Sequence, residues 1–148
     1  MKKVVLILLL TFGYYINSYS QENDKIERAA MNYLEGFYEG DTTKIIKSIH
    51  PDLSKFGYGF DKKTGAYKKG SQMTYQGAIK YAREVNKNPK WAAPKNAIKK
   101  VEILDVQEKI ACIKVTAYWG VDYMLLAKNN DKWMITKVLW QSVPKKQN

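Results

Sequence analysis

The sequence predicts an α+β domain, with helices first and a long antiparallel meander last. Three observations predict it. Between Glu22 and Glu39 the apolar residues recur at spacings of three and four, the period of a helix. From Ile98 onward the period changes to two, the period of strands. The strands read between Cys112 and Trp140 carry large apolar groups on both faces, so the sheet must be covered on both sides or curve around an interior.

The first twenty residues are a different kind of sequence. Lys2 and Lys3 form a charged start, Val4 to Leu10 an apolar run, and Ser18-Tyr19-Ser20 a small-x-small cleavage pattern before Gln21. This predicts a signal peptide over 1–20 and one domain over 21–148, exported to the periplasm or secreted. Thr11, Gly13 and Asn17 interrupt the apolar run, which counts against a retained anchor, since a membrane span needs roughly 20 apolar residues. Of the 148 residues, 45% are hydrophobic, enough for one sizeable core. Cys112 is the only cysteine, so no disulfide can form within the chain, and its apolar neighbours mark it as a buried packing residue.

The formal charge is +11; loss of Lys2 and Lys3 with the leader would leave +9. Residues 55–100 hold twelve Lys/Arg against Asp61 and Glu84. A basic block of this kind either steers contact with anionic surfaces or is simply a solvated face, and the scattering of its lysines favours the second.

Taken in order, Ile26, Ala29, Ala30, Tyr33, Leu34, Phe37 and Tyr38 form one face of the first helix, interrupted by Gly36. Gly40 ends it, and Asp41 caps a short helix over Thr42 to Ile49 that stops at His50-Pro51. In Phe56-Gly57-Tyr58-Gly59-Phe60 the three aromatics share one side of an extended segment, and the glycines leave room for a backbone or ligand or else mark an irregular strand. Asp61 to Gly65 is a hairpin loop with a return strand over Ala66 to Lys69. Thr74 caps a third helix with Ala78, Ile79, Ala82 and Val85 inward, and Trp91 in the following loop reads as a plug on the core. Four strands follow. The third is read with Val121, Tyr123, Leu125 and Ala127 on one face, and the last with Trp133, Ile135, Lys137 and Leu139 on one face and Val138 and Trp140 on the other.

Three stretches carry a resemblance to a known family: Tyr33 through His50-Pro51-Asp52, Val121-Asp122-Tyr123-Met124-Leu125-Leu126, and Asp131-Lys132-Trp133 through Trp140. With the order of elements, they resemble the nuclear transport factor 2-like superfamily and, more narrowly, its Putative lumazine-binding branch, related to the ketosteroid isomerase and polyketide cyclase folds. Where that branch usually has a glycine before the final strand, this chain has Asn130-Asp131. The resemblance implies a cone-shaped curved antiparallel sheet wrapped around N-terminal helices, with a conical pocket open at one end. It also implies, for many relatives, a homodimer through the outer face of the sheet. Exposure of Met124, Met134 and Trp140 in one patch would mark that face.

For such a pocket the aromatic candidates are Tyr33, Phe37, Phe56, Tyr58, Trp119, Tyr123 and Trp133. The polar ones are few. His50 is the only histidine and titrates in the range useful for proton transfer, though a histidine at a helix end also serves as a cap. Asp122, in an apolar strand, is either satisfied by Lys137 or a backbone group, or is a pocket base. These two are the catalytic candidates. One histidine and one cysteine far apart predict no metal site, and no phosphate loop, nucleophile elbow, cofactor fingerprint or nucleic-acid motif appears. The pattern therefore predicts binding of a small apolar or aromatic molecule without catalysis. An isomerase or dehydratase using His50 or Asp122 is the alternative, and a dimerising scaffold domain the third reading.

Overall fold

The computed structural model describes residues 2–143 and, of these, the side chains of residues 20–143. All of the expected leader but Ser20, and the tail from Pro144, therefore lie outside the described side chains. The order of elements is α1 (Lys2–Glu39), α2 (Thr42–Ser48), β1 (Ile49–Asp61), β2 (Ala66–Lys69), β3 (Met73–Thr74), α3 (Tyr75–Lys87), β4 (Lys99–Val106), β5 (Ile110–Ala117), β6 (Gly120–Asn129) and β7 (Lys132–Ser142). Among the described residues no helix is long and apolar enough to cross a membrane.

Seven strands form one curved, unclosed sheet in the order β2-β1-β7-β6-β5-β4, with β3 paired to β1. The sheet is mixed. β1 runs parallel to β7, where a wholly antiparallel sheet was expected, because α2 and β1 return the chain beside the last strand rather than beside a sequence neighbour. The concave face receives α1, whose Ile26, Ala30, Tyr33 and Leu34 are fully buried, together with Ile113, Val115, Met124, Leu126, Ile135 and Val138 from the strands. Each of the Ile, Leu, Val and Met side chains so removed from water contributes about 1.5–3 kcal/mol. Gly36 is where α2 crosses α1: a Cβ there would stand 2.7 Å from the Ile45 side chain. Asp41 caps α2 by accepting from the Thr43 and Lys44 N–H groups at 2.8 and 3.1 Å, and Thr74 caps α3 through Gly77.

Register irregularities decide which side chains face inward. Leu125 pairs with Lys137 but Leu126 with Ile135, so Thr136 is an extra residue in β7. A one-residue bulge exchanges the faces of the strand beyond it. Trp133 and Ile135 point inward before the bulge, and Val138 and Trp140 after it. Lys137 and Leu139, read from sequence as continuing the Trp133 face, are turned outward and exposed. In β1 the four residues between Ile49 and Ser54 stand against one on β7, Thr136, between Ile135 and Lys137. His50-Pro51-Asp52 is thus the bulge of a strand. It is not the end of a helix, which had been expected to reach Ile49. Trp91 is 57% exposed and does not plug the core. Cys112 is half-buried on the outer face, where it pairs with Leu125.

Candidate functional site

A cavity of about 270 Å³ is lined by Phe37, Lys55, Met73, Tyr81, Trp119 and Trp140. Each lining residue arrives for a local reason. Phe37 is one turn beyond Tyr33 on the buried stripe of α1. Tyr81 stands on α3 and makes an edge contact with Phe37 at 5.6 Å between ring centroids. Trp119 occupies the two-residue turn between β5 and β6, ahead of Gly120, whose φ of 148° favours glycine. Trp140 faces inward because of the Thr136 bulge. Its indole spreads over a floor of glycines. A Cβ on Gly57 would lie 2.5 Å from Trp140 Cγ, and one on Gly70 would lie 3.3 Å from its Cζ2.

The polar centre of the cavity is Lys55, 9% exposed, on the inward face of β1 between Leu53 and Gly57. Its ammonium lies 3.1 Å from Asp122 Oδ2 and donates to the Tyr33 hydroxyl. Tyr33 in turn donates to Asp122 Oδ2 at 2.7 Å, and the Trp119 indole N–H donates to Asp122 Oδ1 at 2.6 Å. Asp122 is fully buried, and three donors satisfy it. Around Lys55 Nζ stand the rings of Trp119, Tyr33, Phe37 and Trp140, with centroids at 5.1, 5.2, 5.6 and 5.9 Å. Desolvated cation–π contacts at such distances are worth about 2 kcal/mol or more. They help hold a charge whose burial is otherwise costly. Burial pushes the Lys55 amine below its ordinary value of 10.5, against the opposing pull of Asp122. Burial also raises the Tyr33 hydroxyl well above 10.0, with Asp122 adding to the rise. An ammonium carries three N–H groups, and two of those on Lys55 have protein acceptors. The third is available to an acceptor in the cavity.

A larger groove of about 670 Å³ runs beside Gln21, Lys25, Arg28, Asp131 and Trp133. Two of its charges, Lys25 and Asp131, pair at the surface at 2.7 Å. It holds no desolvated charge comparable to Lys55, so the aromatic cavity is the candidate site. Among the described residues no group of His, Cys, Asp and Glu is placed to hold a metal ion.

Of the residues singled out from sequence, Tyr33, Phe37, Trp119 and Asp122 come together here. His50 does not. Its Nδ1 accepts from the Asp52 N–H at 3.1 Å within the β1 bulge. Its neighbour Ile49 pairs with Ile135, five residues along β7 from Trp140, the partner of Asp122. At about 3.3 Å per residue that separation is roughly 16 Å. His50 and Asp122 therefore share no reacting atom. Phe56 and Tyr58 lie on the outer side of β1, because the inward positions belong to Lys55 and Gly57. Tyr123 is likewise outward and 51% exposed. Trp133 is buried at the other end of the sheet, where its indole donates to Glu22 at 2.8 Å. Asp122 is satisfied by Lys55, Tyr33 and Trp119, and Lys137 plays no part.

Lys55, Trp140, Tyr81 and Met73 were not among the sequence candidates. Strand alternation carried a signal for Lys55: if Gly57 faces inward, so does the residue two before it. No local pattern marked Trp140, whose facing depends on a bulge.

The chain was compared with known proteins. The family model described as Putative lumazine-binding matches residues 21–141. A comparison with curated proteins gave no match. Among solved structures, an NTF2-like protein of unknown function from Shewanella baltica OS155 is 21% identical, with TM-score 0.61, over 86% of this chain and 98% of that one. One from Methylobacillus flagellatus KT is 21% identical, with TM-score 0.59, over 84% and 94%. A protein of unknown function with a cystatin-like fold from Nostoc punctiforme PCC 73102 is 12% identical, with TM-score 0.56, over 83% and 92%. At these identities the likeness is one of fold.

Proposed function

Because this chain belongs to the Putative lumazine-binding family and has the nuclear transport factor 2-like fold, we propose that it is an exported protein that binds a small planar aromatic molecule in the cavity around Lys55, without catalysis. One observation carries the reading: four aromatic side chains and one desolvated ammonium with an N–H to spare line a space of about 270 Å³. That volume lies just under the usual range of ligand pockets, and it limits the ligand to one or two fused rings. The aromatic walls supply stacking and apolar burial, and Lys55 supplies orientation by donating to a single acceptor. The absence of turnover is supported by the separation of His50 from Asp122, roughly 16 Å along β7, which leaves the two expected proton-transfer groups with no reacting atom in common. Export is supported by the family match, which begins at Gln21, where the leader is expected to end.

Naphthol, a planar two-ring molecule with no electrophilic carbon, tests the binding reading. Titration should quench tryptophan emission saturably, through Trp119 and Trp140. A flat titration with naphthol and with one-ring phenols would remove the proposal.

A second reading, pairing of two copies through the outer face of the sheet, is favoured by a specific patch. Tyr123, Leu125 and Leu139 are 51%, 51% and 45% exposed, and Tyr123 pairs directly with Leu139. Phe56 extends the same row across β1, since it pairs with Leu139. Met124 and Trp140, expected in such a patch, face the other way. Met124 is 1% exposed and Trp140 lines the cavity.

A further inference from the structure

A lysine amine in a desolvated aromatic pocket, with a carboxylate at hydrogen-bond distance, has a chemistry beyond orientation. Resting on the binding reading above, we infer that Lys55 captures small aromatic aldehydes or ketones covalently, as an imine formed in the cavity and held beside Asp122.

The placement provides what the condensation needs. Nζ stands at the wall of a cavity sized for one or two rings, and its third N–H points away from both protein acceptors. Asp122 Oδ2, 3.1 Å away, is the proton acceptor in reach. The titratable groups facing Lys55 are Tyr33 from α1, Asp122 from β6 and Tyr81 from α3; β7 contributes the uncharged Trp140. Burial holds the amine below its ordinary value, which raises the fraction present as the nucleophilic free base.

The step balances without any oxidant or reductant. The ammonium of Lys55 gives one proton to Asp122. The freed lone pair forms the C–N bond to the carbonyl carbon while the carbonyl π pair moves to oxygen. A proton then passes from nitrogen to that oxygen to give the carbinolamine. Asp122 returns its proton to the hydroxyl, which leaves as water while the nitrogen lone pair forms the C=N bond. The products are an iminium cation, water and a carboxylate again. The iminium carries the charge that the ammonium carried, in the same place, so Asp122 and the surrounding rings stabilise it as they do the lysine.

Naphthaldehyde is the probe, matched in shape to the naphthol used for simple binding. The full chain is incubated at neutral pH with naphthaldehyde and cyanoborohydride, which reduces the imine to a stable secondary amine, and the adduct is located by peptide mapping. Each unit by which an amine is lowered raises its free-base fraction about tenfold. Lys55 should therefore be labelled faster than exposed lysines such as Lys62 and Lys63, and excess naphthol should abolish that labelling alone. This readout uses the native protein and does not depend on a variant that folds; Lys55→Arg, which keeps the charge, should lose the site-specific adduct. Labelling spread over exposed lysines with Lys55 unmodified, while naphthol still quenches the tryptophans, would overturn covalent capture and leave binding intact. Loss of the naphthol quench as well would remove both.

Discussion

Lys55 and Asp122 are each expensive to bury and tolerable only together. Removing one partner of a buried pair typically costs about 3–5 kcal/mol, because the other charge stays in the interior without compensation. Lys55→Met and Asp122→Asn should each destabilise the protein by an amount in that range, and the double variant by clearly less than the sum, as read from urea midpoints. The same pair sets an alkaline signature. Lys55 titrates below its unfolded value of 10.5, so between its lowered folded pKa and 10.5 the unfolded chain binds more protons than the native one. Stability contributed through this group therefore rises with pH across that window. Tyr33 acts in the opposite sense. Its hydroxyl is raised in the fold, so above about 10.0 the unfolded chain ionises first and stability falls. Wild type should thus gain stability relative to Lys55→Met as pH climbs toward 10.5, and the difference should level off beyond it because Tyr33 is common to both. A difference that stays flat across the alkaline range would refute the assignment.

At the scale of elements, the period of each segment was legible in the sequence and the facing of two strands was not. The α1 stripe, both helix caps, the Asp61–Gly65 loop and the inward residues of α3 follow from local patterns, and the structure places them as read. Facing in β7 depends on Thr136, an ordinary strand residue whose extra position is set by pairing with β6, so nothing local announces it. For β1 the aromatic side was read as inward on hydrophobicity, but the space there is taken by Trp140, which only glycine admits. Half of the site was visible in Tyr33, Phe37, Trp119 and Asp122; Lys55 and Trp140, on these two strands, were hidden for that reason. A test follows from the close approach of β1 to β7. Gly57→Ala places a methyl against the Trp140 ring and its carbonyl. Overpacking of this kind costs about 1–3 kcal/mol. Because Trp140 is a cavity wall, naphthol affinity should fall with it. Gly59→Ala, whose added carbon would stand 3.8 Å from the Trp140 ring, should bind naphthol normally and is the internal control.

For the molecule as a whole, the two faces of one sheet have been given different work. The concave face is closed by α1 and holds the site. The convex face carries Phe56, Leu139, Tyr123 and Leu125 in adjoining rows, and among the described residues these large side chains stay partly or wholly exposed. A second copy is the occupant we propose, because a twofold pairing would set the same apolar row against itself. Charges at its margins, Lys114 with Glu102 at 3.0 Å and Lys137 beyond, would form the solvated rim. The prediction joins this pairing to export. Protein recovered from outside the cytoplasm should have an intact mass beginning at Gln21, and light scattering on the same sample should give twice that mass. Leu125→Glu buries a charge only if the copies meet there, so it should yield a monomer that still folds and still binds naphthol. A wild-type monomer at high concentration would leave the apolar row without a partner and end the pairing proposal. A chain that retains residues 1–20 outside the cytoplasm would end the cleavage proposal independently.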